Sequence, residues 1–155
     1  MATPTDRPPY EAYAAIFGTF LGGLAAAGAL GRSLDRDPHC NTALDYVTLA
    51  AATFKVSRTI SRDRVTSFIR EPFVEGEALK GEDEQPAGEG MQRAIGELVT
   101  CTRCIGTWAA AGLATTQIAT PRFGRLLTWS LSAAAANDFL QAGFAALTAK
   151  ANQDS

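Results

Sequence analysis

Residues 13–30 read YAAIFGTFLGGLAAAGAL, eighteen positions without a charge, and the fold turns on what this stretch is. Eighteen apolar residues are about the minimum that crosses the hydrocarbon core of a bilayer as a helix. A soluble amphipathic helix shows a polar stripe where it meets water. Here Thr19 is the lone polar side chain beyond Tyr13. Gly18, Gly22 and Gly23 would each weaken a soluble helix by about 1 kcal/mol. In a bilayer the same Gly18-x-x-x-Gly22 spacing opens a groove into which another helix can pack closely. A cleavable signal peptide is the competing reading. Its basic n-region is poor, because Arg7 is offset by Asp6 and Glu11, so the segment is expected to be retained.

Three more apolar blocks follow: Ala43 to Val56, Cys104 to Ala119 and Leu126 to Ala149. None shows the alternation of a strand, and their alanine and leucine content favours helix. Pro38 and Pro121 fall between blocks, where helix breakers belong. The expectation is an all-α integral membrane protein, a single domain over residues 1–155. Its four transmembrane helices lie at about 12–31, 43–60, 101–119 and 125–149, and a polar cytoplasmic loop spans 61–98. The second and third blocks are short enough that a shallow or re-entrant placement stays open. The glycine-rich acidic stretch from Glu75 to Glu89 reads as solvated loop.

Charge supplies an independent argument about orientation. With four spans, both termini and the middle loop share one side. That side carries Arg7, Lys55, Arg58, Arg62, Arg64, Arg70, Lys80, Arg93, Arg103 and Lys150, ten of the 14 basic residues. The positive-inside rule then places both termini and the middle loop in the cytoplasm. A formal net charge of -2 gives no case for nucleic-acid binding. Three cysteines and one histidine argue against a disulfide scaffold or a Ser-His-Asp enzyme, and no small-molecule substrate suggests itself.

The residues that carry chemistry are few. Lys55, Arg58 and Arg62 recur at helical steps, and with Arg70 they are expected to meet anionic lipid headgroups or a partner protein. Arg64 and Arg70 fit a surface-lying segment whose apolar side is Val65, Phe68, Ile69 and Phe73. Asp45, near the end of its block, and Asp138, with Asn137 and Gln141 about midway along the last block, are expected as intramembrane polar groups. Asp138 reads as an interhelical hydrogen-bond or ion-pair partner, with a proton or ion site as the alternative. Cys101 and Cys104 form a Cys-x-x-Cys pair without the following histidine of a haem site or the βαβ setting of thioredoxin. A closed zinc site needs four ligands. Only His39 and Cys40 remain as donors, and four spans put them across the membrane. Any metal at Cys101 and Cys104 would need outside ligands, so no cofactor is expected. The pair reads either as structural packing at a helix start or as a reactive thiol site.

Three stretches together resemble a known bacterial membrane family. "LAAATFKVSRTISRDRVTSFIREPF" (49–73), "GELVTCTRCIGTWAAA" (96–111) and "AAANDFLQAGFAAL" (134–147) are similar to segments of the family catalogued as domain of unknown function 1360, of the Bacillus sporulation-protein type. The middle stretch resembles its Gly-Glu-Leu-x-x-Cys-Pro-x-Cys-x-Gly-x-Trp box, with Thr102 and Arg103 where the family has proline and an aromatic residue. The resemblance implies a multi-pass membrane protein and supplies no activity. The expected role is a non-enzymatic accessory or assembly subunit that packs Gly18 and Gly22 against other membrane-protein subunits. A cytoplasm-facing thiol or metal protein using Cys101 and Cys104 is the alternative, and an ion or proton carrier using Asp138 a second.

Overall fold

The computed structural model describes residues 8–36, 41–75 and 84–153, most of them helical. His39 and Cys40, the acidic residues 76–83 and the basic residues Arg7 and Lys80 lie outside these segments. Helix α1 (Tyr10–Ser33) starts directly after Pro8-Pro9 and ends where Asp35 takes a left-handed φ of 51°. The Arg36 N–H then donates to Gly31 O at 2.9 Å, closing the helix as an αL terminus does. Helix α2 (Ala43–Arg62) opens with a capping box: Thr42 Oγ1 accepts from the Asp45 N–H, and Asp45 Oδ2 accepts from the Thr42 N–H. Two orphan donors are satisfied at once, which is what Asp45 does in this fold.

The 61–98 segment departs from the expected loop. It holds a 3-10 turn at Arg64–Thr66, the short α3 (Ser67–Arg70), a second 3-10 turn at Glu71–Phe73 and a two-residue antiparallel pairing of β1 (Val74–Glu75) with β2 (Gln85–Pro86). It ends in α4 (Gly90–Thr100), which buries Ala94, Gly96 and Val99. The apolar face of α4 is short and lies among charges, so it leaves little trace in a scan for long apolar runs. A second difference concerns Arg70. Expected at a lipid or partner surface, it is instead wholly buried (0% exposed).

Helix α5 (Thr102–Ala119) follows after one residue, and α6 (Pro121–Gln153) begins with proline at its first position, where the missing N–H costs nothing. Ser57 packs on Gly106, and Ser61 shares a 2.9 Å hydrogen bond with Thr102, so α2 and α5 are antiparallel. Ser132 Oγ donates to Thr48 O, and Lys55 meets Asp138 further along, so α2 and α6 are parallel. Phe20 meets Trp108 edge-on at 5.2 Å and Gly31 faces Ile118, which makes α1 parallel to α5. The four long helices therefore alternate in direction along the chain. Both described chain ends and the whole middle segment lie at one end.

Size sorts the residues. The contacts at the centre are made by small side chains, with Ala52 at 0% and Ala135 at 1% exposure, beside buried Ser57, Ser61 and Thr128. The large apolar residues point outward: Phe17, Leu21, Trp129, Leu140, Phe144 and Leu147 are all exposed. Soluble monomers rarely expose contiguous apolar surface on this scale. Helix α1 is the one described helix long and apolar enough, by length and composition, to cross a membrane. Its apolar window is only 11% buried, unlike the core helix of a soluble protein.

Candidate functional site

The Cys-x-x-Cys stretch is brought together with residues from three helices. Each conspicuous position of its Gly-Glu-Leu…Trp pattern has a distinct physical task. Gly96 lets α4 sit against the β1–β2 pairing, because a Cβ there would run into Phe73 O and the Pro86 ring. Glu97 accepts a hydrogen bond from the Tyr13 hydroxyl of α1 and an ion pair from Arg93 Nε at 3.1 Å, one turn earlier on its own helix. Gly106 brings α5 against Ser57, and Trp108 receives the Phe20 ring.

Between these elements lies a groove of about 450 Å³. Ile16, Phe17, Phe20, Leu98 and Trp108 form its apolar walls, and Tyr13, Glu97, Thr107 and Cys104 supply its polar atoms. Cys101 and Cys104 are joined as a disulfide with their Cα atoms 5.2 Å apart, within the usual range for such a bridge. Cys101 is also the N-cap of α5, its sulfur accepting from the Cys104 N–H at 3.3 Å. Cys104 is exposed on the groove side. Among the described residues, no third Cys, His, Asp or Glu joins the pair in a metal-sized cluster.

The other expected site residues scatter. A Cβ added at Gly18, Gly22 or Gly23 meets no described atom within 4 Å, so their face of α1 is open. Lys55 leaves the basic row: its Nζ lies 2.7 Å from Asp138 Oδ2, beside Phe54 stacked on Phe139 at 5.3 Å. Asp138 is thus an ion-pair partner linking α2 to α6. Arg58 and Arg62 are exposed at the end of α2, and Asn137 and Gln141 are exposed on α6. Arg70 binds inward, with Nε and Nη2 donating to the two carboxylate oxygens of Glu84 at 2.9 and 3.0 Å. Its Nη1 donates to Ile60 O, Asp63 O and Thr66 Oγ1. Sequence reasoning passed over Tyr13, Arg93 and Phe20. Their partners lie more than eighty positions away or within a helix read as loop, and no spacing rule links them.

Residues 48–144 match the family model described as "Protein of unknown function (DUF1360)". The UPF0713 protein YngL of Bacillus subtilis (strain 168) is 24% identical over 99 residues, covering 63% of this chain and 76% of that protein. No solved structure matches. The matched region contains α5, the Cys pair and most of α2 and α6, and it leaves α1 outside.

Proposed function

The chain belongs to the DUF1360 family, and on that premise we propose that it is a four-span protein of the bacterial inner membrane, acting as a non-enzymatic accessory subunit of a larger membrane complex. In this reading α1, α2, α5 and α6 all cross the bilayer, with both termini and the middle segment in the cytoplasm. What supports the four spans is the alternation of helix direction together with a small-residue interior and a large-residue exterior. The charges agree: Arg58, Arg62, Arg64, Arg93 and Arg103 gather at the end of the middle segment, and Arg32, Arg36, Arg122 and Arg125 at the other.

The observation that carries the subunit role is the open glycine face of α1. Gly31, Gly96, Gly106 and Gly124 each have a neighbour that a Cβ would touch, whereas Gly112 on α5, Gly143 on α6 and Gly28 further along α1 do not. Gly18, Gly22 and Gly23 have none. Small-residue faces are what membrane helices use to approach one another closely, and a helix meant only for lipid gains nothing from them. The test is co-purification in mild detergent with Gly18→Leu/Gly22→Leu beside the unaltered chain. Added side chains meet empty space in the monomer, so folding is preserved while the partner is lost. An unaltered chain that always runs alone as a monomer defeats the proposal.

A second reading rests on the Cys101–Cys104 bridge beside the groove: a thiol–disulfide protein working at the cytoplasmic surface. Replacing both cysteines with serine would then abolish the cellular effect while leaving partner co-purification intact. A normal phenotype for that double variant removes the reading.

A further inference from the structure

The turn that follows α2 has properties at odds with an ordinary exposed loop. Val65 is 83% exposed, Phe68 67% and Ile69 37%. Loops that display three large apolar side chains in five residues are ordinarily free to fold them away. This one is not. Arg70, at the end of the same turn, is 0% exposed and saturated by Ile60 O, Asp63 O, Thr66 Oγ1 and both oxygens of Glu84. Thr66 Oγ1 is tied again to Thr59 O and Asp63 O. The backbone carrying Val65, Phe68 and Ile69 is thereby pinned to the last turn of α2, with Val65 and Phe68 largely uncovered and Ile69 about one-third exposed.

What lies around the turn identifies its occupant. Arg58, Arg62 and Arg64 are exposed next to it, against the acids Asp63 and Glu71. Tyr10, 72% exposed, starts α1 at the same end of the bundle, where aromatic residues sit at headgroup depth. A protruding apolar tripod rimmed by arginine, at the point where a proposed span leaves the bilayer, matches an anionic lipid surface. Apolar side chains enter the boundary between headgroups and acyl chains, and guanidinium groups pair with phosphates.

We propose that residues 64–73 form a rigid interfacial anchor. Val65, Phe68 and Ile69 insert into the headgroup–acyl boundary of an anionic bilayer, and Arg58 and Arg64 hold its lipid phosphates. The Arg70–Glu84 clamp is what keeps the apolar residues presented. This rests on the membrane reading above, and the experiment separates the two.

The full chain is reconstituted in nanodiscs whose lipids carry bromine either near the glycerol or near the acyl terminus. One variant, Phe68→Trp with Trp108→Phe and Trp129→Phe, reports on the anchor. A second, Trp108→Phe, keeps Trp129, which is exposed on α6, as the reporter of a span. The anchor indole is expected to lose its fluorescence to bromine near the glycerol, and more in anionic than in zwitterionic discs. Adding Arg58→Gln and Arg64→Gln removes that lipid preference. Quenching of Trp129 without quenching at position 68 overturns the anchor and leaves the span intact. Quenching at neither overturns both. Equal quenching in both lipids overturns the anionic specificity, and an indole shielded only when another protein co-purifies assigns the surface to that protein.

Discussion

Arg70 shows most clearly what a residue does here against what its spacing suggests. It continues a basic series with Lys55, Arg58 and Arg62, and periodicity places such residues on faces. Periodicity cannot see that Glu84, fourteen positions on, supplies a two-oxygen partner, or that three further acceptors converge on the same guanidinium. A bidentate carboxylate suits arginine and not lysine, so Arg70→Lys is expected to be poorly tolerated. Removing one member of a buried ion pair leaves the other uncompensated, at a cost of about 3–5 kcal/mol. Arg70→Ala should therefore destabilise the folded chain by about that amount in a denaturant titration monitored by circular dichroism. Arg70→Met combined with Glu84→Leu should recover much of the loss. If the single change costs under about 1 kcal/mol, the residue is not the clamp described. Gly96 makes the same argument from sterics. Its added Cβ would strike the Phe73 carbonyl that already accepts the Ala87 N–H, so Gly96→Val should unseat the β1–β2 pairing while Gly18→Val leaves stability unchanged.

At the scale of elements, the helices that fail a hydropathy test are informative about why they fail. Helices α2, α5 and α6 carry serine, threonine and glutamine, yet many of these groups are satisfied within or between the helices. Ser61 pairs with Thr102, Gln117 Nε2 donates to Thr128 Oγ1 at 2.9 Å, and Ser132 donates to Thr48 O. Polar groups bonded inside a bundle lower the average hydropathy of a segment without giving it a polar surface. The four long helices were legible because their apolar runs are long. Helix α4 was hidden because eleven residues of mixed character have too few turns to stand out from a polar loop. The Lys55–Asp138 pair is a charged link between α2 and α6. In the four-span arrangement proposed above, such interhelical bonds would be worth about 1 kcal/mol. Asp138→Asn should lower thermal stability in detergent by a few degrees and Lys55→Met by a comparable amount. The double variant Lys55→Met/Asp138→Leu should lose less than the sum. Additive losses would mean that the two side chains do not interact in the membrane.

For the whole molecule, orientation and the chemistry of the cysteine pair are a single question. The Cys101–Cys104 bridge lies at the end of the bundle that carries most of the basic residues. The positive-inside rule assigns that end to the cytoplasm. Cytosolic thiol buffers keep cysteines reduced, and disulfides persist chiefly on the oxidising side of the membrane. The orientation proposed above therefore implies that Cys101 and Cys104 are a dithiol in growing cells and that the bridge is a transient oxidised state. Acid-trapping of whole cells followed by alkylation mass-shift should find the pair reduced. In unbroken cells, a membrane-permeant maleimide should label Cys104 and an impermeant one should not. A cysteine introduced by Arg122→Cys, at the opposite end, should show the reverse accessibility. A pair found oxidised and reachable by the impermeant reagent would invert the topology, put the groove on the outer face, and make the bridge a permanent staple across the first turn of α5.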